Sequence, residues 1–256
     1  MRRMRRLCLG LIAFFTSVYA SHAKPLLHPD DTKFTLTAAV RVRRAASETI
    51  RPTYGPLAEH IVERFDLADK QGIGIDLGSG PGTLIIELCK RTRLHWVNAE
   101  INPHFFPYFL KDAQEVGVGH RVSAIFADAQ ALPFRDNYAD ILVSRGSFHL
   151  WGDKRLAFSE VYRVLKPGGT AFVGRGFSPN LPPEAARQIR AGQGSTGPAK
   201  QYDVQETKSE LRRLMATLRI KKYRILIPRP PGADDVKYGI WLEFHKPVRN
   251  PASGKR

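Results

Sequence analysis

The chain has 256 residues, 43% hydrophobic and 10% aromatic, which is ample for one sizeable core and short for two domains. Its two cysteines, Cys8 and Cys89, exclude a Cys-based metal cluster, and no metal-ligand grouping appears elsewhere. The formal net charge of +16 is spread along the chain, so a basic solvated surface is favoured over a dedicated nucleic-acid face.

Residues 1–23 begin MRRMRR and continue as the apolar run LCLGLIAFFTSVY, too short for a comfortable bilayer span. This is the pattern of a signal peptide, with small residues placed for cleavage after Ala20 or Ala23. A membrane anchor and an arginine-rich organellar presequence are the competing readings. The protein is accordingly expected to be exported or membrane-anchored, or cytoplasmic if the start is misassigned.

One domain, 24–256, is expected to follow. Residues 34–70 read as a helical cover, with Leu57, Ile61, Val62 and Phe65 at helical spacing after Pro56. From 71 to 177 strands and helices alternate: GIGIDL, LHWVNAEIN, RVSAIFADA, YADILVSRGSFHL and TAFVGRGF as strands, with helices between them. In KRLAFSEVYRVLKPGG the predicted inner face is Leu156, Phe158, Val161, Tyr162 and Leu165, and KPGG is a helix stop. Residues 178–202 read as a lid or a long connection with a short helix from Pro183 to Ala191. Residues 203–246 supply a helix and two strands, KKYRILIPRP and DVKYGIWLEFHKP, expected as an antiparallel edge hairpin with a short turn. Such alternation implies an α/β fold with a mostly parallel sheet and ligands at the carboxyl ends of its strands.

In IGIDLGSGPGT, residues 73–83, an apolar strand ends in an acid and then in Gly78, Gly80 and Gly82. Glycines there let the backbone turn sharply and approach a ligand, and the helix that follows presents free amides. The spacing is G-x-G-x-G, not the G-x-G-x-x-G of a dinucleotide site, which disfavours an NAD-dependent dehydrogenase.

From about Thr53 to Phe177 the sequence resembles the class I S-adenosylmethionine-dependent methyltransferases, in the branch similar to ubiquinone and menaquinone biosynthesis enzymes. Asp76 through Gly82 match that family's first motif, Glu100 the acid that grips the ribose hydroxyls, and Asp128 the position that bonds the adenine amino group. A-x-x-L-P-F after Asp128 and EVYRVLKPGGTAFV match the same branch. The resemblance implies a Rossmann-like doubly wound fold with a seven-stranded sheet, an antiparallel last strand and helices on both faces. It implies S-adenosyl-L-methionine as cofactor, held by Asp76, Gly78, Ser79, Gly80, Gly82, Glu100, Ile101, Asp128, Ala129 and Ser144.

The tail of SRGSFHLWGD resembles the L-H-H-W-P-D segment of small-molecule members, which puts His149 near the reacting methyl. Imidazole titrates near neutrality, so His149 is a candidate base, with a helix-start or packing role as the alternative. Arg145 stands where that branch is usually small or polar, and pairs either with an anionic substrate or with an acid such as Asp153. SRGSF is not the Asn/Asp-Pro-Pro-Tyr/Phe of amino-methylating enzymes, and one body cysteine argues against base-carbon and arsenite methylases. Methyl transfer to O, N or C of a small molecule leads. A basic RNA methyltransferase and a non-catalytic S-adenosylmethionine-binding protein are the alternatives.

Overall fold

A computed structural model describes residues 34–192 and 203–248. The predicted leader, 1–23, and part of the predicted lid, 193–202, lie outside the described residues. Two helices come first, α1 (Leu36–Ser47) and α2 (Tyr54–Phe65), separated by a short 3-10 turn at Arg51–Thr53. The Thr35 hydroxyl caps α1 by accepting from the Ala38 amide at 3.1 Å.

The alternating core follows as β1 (Ile73–Leu77), α3 (Thr83–Cys89), β2 (His95–Glu100), α4 (Phe106–Glu115), β3 (Val122–Phe126), β4 (Ala139–Arg145), α5 (Lys154–Val164) and β5 (Leu165–Gly176). The chain then adds α6 (Pro183–Gly192), α7 (Val204–Thr217), β6 (Tyr223–Leu226) and β7 (Gly239–His245). The seven strands form one sheet in the order β3-β2-β1-β4-β5-β7-β6, parallel except for β7, which runs antiparallel to both its neighbours. The chain passes from β1 to β2 on one side and places β4 on the other, so a crevice opens at the carboxyl end of β1.

Alternate residues of each strand feed opposite layers. Ile75, Leu77 and Leu142 face a core with Phe158 and Val161 of α5 and Leu211 and Met215 of α7. Trp96, Ile141, Val143, Phe172 and Trp241 face the other core, with Leu57 and Ile61 of α2 and Ile85 and Leu88 of α3. The predicted doubly wound architecture is therefore the observed one.

Three local expectations change. Leu156 is exposed and the inner face of α5 is Ala157, Phe158, Val161 and Val164, because Leu156 sits about 200° around the helix from Phe158. KPGG does end α5, but it also belongs to β5: Ala139 pairs with Leu165 and Ile141 with Thr170, so the intervening residues bulge out of the ladder. β6 and β7 are not joined by a short turn, since residues 227–238 form a wrapped connection whose Ala233 and Tyr238 pack with Phe177, Leu181, Ala186 and Ile189. The Tyr238 hydroxyl donates to the Leu181 carbonyl at 2.6 Å and ties this connection to the segment before α6.

Candidate active site

The glycine loop leaves β1 with Gly78, Gly80 and Gly82 all at positive φ. At Gly78 a Cβ would come within 2.4 Å of the Ser147 Cβ, and at Gly82 within 2.0 Å of the Phe109 ring. Glycine at these two positions is thus demanded both by backbone conformation and by neighbours. The loop peptide of Gly80 is gripped from two sides: its amide donates to Glu100 Oε2 at 2.8 Å, and its carbonyl accepts from Asn98 Nδ2 at 3.1 Å.

Three acids line the ends of adjacent strands. Asp76 closes β1, is 2% exposed, and accepts a 2.7 Å hydrogen bond from the Ser79 hydroxyl at Oδ2. Its Oδ1 is buried with no hydrogen-bond partner. Burial pushes the Asp76 carboxyl up to about 7, and the Glu100 charge adds to the rise against the opposing Ser79 bond and Arg145 charge. Glu100 ends β2, with Oε1 accepting from the Asn102 amide at 3.0 Å as well as Oε2 from Gly80. Burial raises its pKa, against the pull of these amides. A carboxylate carries about four lone-pair sites, so Glu100, bonded by the Gly80, Asn102 and Ile101 amides, keeps capacity for a further donor.

Asp128, just beyond β3, holds an Asx turn: its Oδ1 accepts from the Gln130 amide at 2.9 Å. Gln130 Oε1 in turn accepts from the Asp153 amide at 2.7 Å, linking this corner to the cap of α5. Ile101 is half-buried beside Glu100, and Ala129 is buried. Ser144 is also buried, with its Oγ 2.6 Å from Ser147 Oγ. Ser147 donates to the Leu77 carbonyl at 3.0 Å, so Ser144 is the donor of the pair. All the residues predicted to bind the cofactor lie on or beside the carboxyl ends of β1, β2, β3 and β4.

The two candidate catalytic residues occupy different surroundings. Arg145, the last residue of β4, places its guanidinium 5.0 Å from the centre of the Tyr54 ring, and its Nε is buried without a hydrogen-bond partner. It is not bonded to Asp153, whose side chain caps α5 by accepting from the Leu156 amide at 2.9 Å. His149 lies in the short 3-10 turn Phe148–Leu150 and lines a polar cavity of about 600 Å³ with Lys154, Arg175, Thr207, Glu210 and Arg213. None of the three acids of the glycine loop region lines that cavity.

The expectation that His149 titrates near neutrality is corrected. Burial, then the charges of Arg175 and Lys154, lower its pKa to about 4. The ring stays exposed on one side, where solvent screens part of this effect, and the consequence is a neutral imidazole at pH 7.

Tyr54, Asn98, Asn102 and Ser147 escaped the sequence reading. Tyr54 is buried at the start of α2 and meets the site only through the fold. Ser147 and Asn98 lie within predicted segments, and only the glycine contacts reveal that they shape the loop. A second cavity of about 420 Å³ lies beside Tyr54, lined also by Glu48, Arg51, Thr83 and Glu87. Among the described residues there is no grouping of His, Cys, Asp and Glu that could hold a metal ion, and no helix long and apolar enough to cross a membrane.

A family model described as a methyltransferase domain matches residues 75–173, from β1 into β5. The chain is 29% identical over 151 residues to the ubiquinone/menaquinone biosynthesis C-methyltransferase UbiE of Psychromonas ingrahamii, covering 56% of this chain and 60% of that protein. It is 31% identical over 116 residues to the chloroplastic 2-methyl-6-phytyl-1,4-hydroquinone methyltransferase of Arabidopsis thaliana, covering 45% of this chain and 33% of that protein. The chain thus spans less than two thirds of the length of these curated relatives. A solved structure from Methanococcus maripaludis, described as a candidate S-adenosyl-L-methionine-dependent methyltransferase, superposes with a TM-score of 0.75 at 28% identity, covering 88% of this chain and 99% of that one. With the matched domain, the sheet order and the three-glycine loop in agreement, residues 75–173 form a methyltransferase domain within a chain that has the fold of the S-adenosylmethionine-dependent methyltransferases.

Proposed function

We propose that the protein binds S-adenosyl-L-methionine at the glycine loop and transfers its methyl group to an O, N or C atom of a small molecule. The observation that carries this reading is the buried Asp76 carboxylate, whose Oδ1 has no partner at the mouth of a loop whose glycines bring the backbone close. A buried carboxylate oxygen left unbonded is costly, and a cationic ligand group removes that cost. Asp76 would take the ammonium of the cofactor, Glu100 the ribose hydroxyls and Asp128 the adenine amino group. Gly80, held by Glu100 and Asn98, keeps the backbone in register for this.

The cofactor, when bound, supplies a methyl group on a sulfonium that is already a good leaving group. The protein's share is therefore orientation and water exclusion. Tyr54, Phe105 and Phe148 bury the surroundings of the loop, and Val42 of α1 lies over Gly80, 3.9 Å from where a Cβ would stand. His149, neutral at pH 7, contributes a hydrogen-bonding ring to the neighbouring cavity; with its pKa held near 4 it is a weak general base. The relatives are named for C-methylation in quinone biosynthesis and for methylation of a hydroquinone, which supports a small-molecule acceptor.

Calorimetric titration of the purified protein with S-adenosylmethionine and with NAD tests the reading. Micromolar binding of the first is expected, and binding of NAD alone would overturn it.

A further inference from the structure

The register of the sheet sets two opposite charges side by side. Asp76 pairs with Val143 across β1 and β4, and Ile141 and Val143 point into the core shared with α2 and α3, opposite to Leu142. Residues two apart on a strand share a face, so Arg145, two beyond Val143, emerges on the same side as Asp76 and one step nearer the crevice. That side is roofed by the start of α2, where Tyr54 is buried against the sheet.

The result is a pair of unsatisfied atoms of opposite sign, Asp76 Oδ1 and Arg145 Nε, both buried. The guanidinium lies over the Tyr54 ring, 5.0 Å from its centre, and is hydrogen-bonded to the phenol, which holds it in place; its planar fork suits a carboxylate. Tyr54 itself senses both partners: burial raises its phenol pKa, the Arg145 charge lowers it and the Asp76 charge raises it. An amino-acid group carries an ammonium and a carboxylate on one carbon, and this cluster offers one complementary charge to each.

We propose that Arg145, braced by Tyr54, binds the carboxylate of the cofactor's amino-acid end while Asp76 binds its ammonium. This rests on the reading of the glycine loop as an S-adenosylmethionine site. It makes Arg145 a cofactor-binding residue and not a partner of the methyl acceptor.

The test is equilibrium binding of S-adenosylmethionine and of decarboxylated S-adenosylmethionine, which lacks only the carboxylate, to wild type, Arg145→Met, Arg145→Lys and Tyr54→Phe. Wild type should prefer the carboxylated ligand by about ten- to a hundredfold, in keeping with a charge-assisted bond. Arg145→Met should bind both ligands alike, at the affinity wild type has for the decarboxylated one. Arg145→Lys keeps the charge but not the fork, and should retain part of the preference; it carries the test should Arg145→Met fail to fold. Tyr54→Phe keeps the ring under the guanidinium but loses the phenol's hydrogen bond to it, and should retain part of the preference. An Arg145→Met protein that keeps the wild-type preference overturns the proposal and hands the arginine to the acceptor. Equal loss for both ligands overturns it in favour of a purely structural role. Wild type binding neither ligand would instead overturn the cofactor reading, and the proposal with it.

Discussion

Replacing Asp76 by Asn removes one charge at nearly constant shape and tests the centre of the site. In the folded protein the Asp76 carboxyl is pushed from 3.8 up to about 7 by burial. A raised carboxyl pKa means that the stability present below the unfolded pKa is lost as pH rises towards the folded one. The gap of about three pH units corresponds to about 4 kcal/mol, an upper limit, because water reaching the carboxylate relaxes the cost. Wild type should therefore lose up to about 4 kcal/mol relative to Asp76→Asn between about pH 4 and pH 8, measured by denaturant unfolding without ligand. Comparing the two pH values cancels any cost peculiar to the asparagine.

Ligand binding should show the mirror image. An ammonium requires the ionised carboxylate, so wild-type affinity for S-adenosylmethionine should be flat above about pH 7 and fall about tenfold per pH unit below it. In Asp76→Asn that slope should vanish, with affinity at about pH 8 reduced by about 1.5–3 kcal/mol for the lost charge-assisted bond. Titration calorimetry from about pH 5.5 to 8.5 measures both. A slope surviving in the variant would assign the proton to Glu100, whose pKa is also raised, and refute the role given to Asp76. A flat wild-type profile would refute it as well.

Glu100→Gln should weaken cofactor binding by about 1–3 kcal/mol and also lower the melting temperature without ligand, because Gly80 and Asn102 lose a charged acceptor. Gly82→Ala should destabilise the fold by at least about 1–3 kcal/mol, since its positive φ and the Phe109 ring both reject a Cβ; a melting temperature equal to wild type would contradict the loop geometry. His149→Gln should leave the pH dependence of turnover unchanged between about pH 6 and 8, because the histidine is neutral throughout that range; loss of an inflection near neutrality would show that His149 titrates there after all. On the signal-peptide reading, N-terminal sequencing of the mature protein should begin at Ser21 or Lys24, and an intact Met1 in a soluble fraction would refute it.

Strand–helix alternation, the three-glycine loop and the acids Asp76 and Glu100 were legible from the chain alone, because each is a local pattern. Apolar periodicity reports which way a segment faces, and a glycine between a strand and a helix reports a backbone requirement that no other residue meets. The same local reasoning missed the phase of α5, where Leu156 looked like a core residue until Ala157 took the inward place. It missed the bulge of KPGG, which is set by the pairing of β5 with β4, and the long β6–β7 connection, which is set by packing against α6.

Charge environments were the least legible. His149 is neutral because the fold buries much of its ring and brings Arg175 of β5 and Lys154 of α5 beside it, and Asp76 is hard to ionise because the fold closes over it. The sequence by itself determined that an acid-tipped strand end would run straight into a glycine turn and a helix start, since those residues are neighbours in the chain. Only the tertiary structure decided that Tyr54 would roof that turn and that Arg145 would stand beside Asp76. Sheet register and helix packing join residues far apart in the chain, and no local periodicity encodes that meeting.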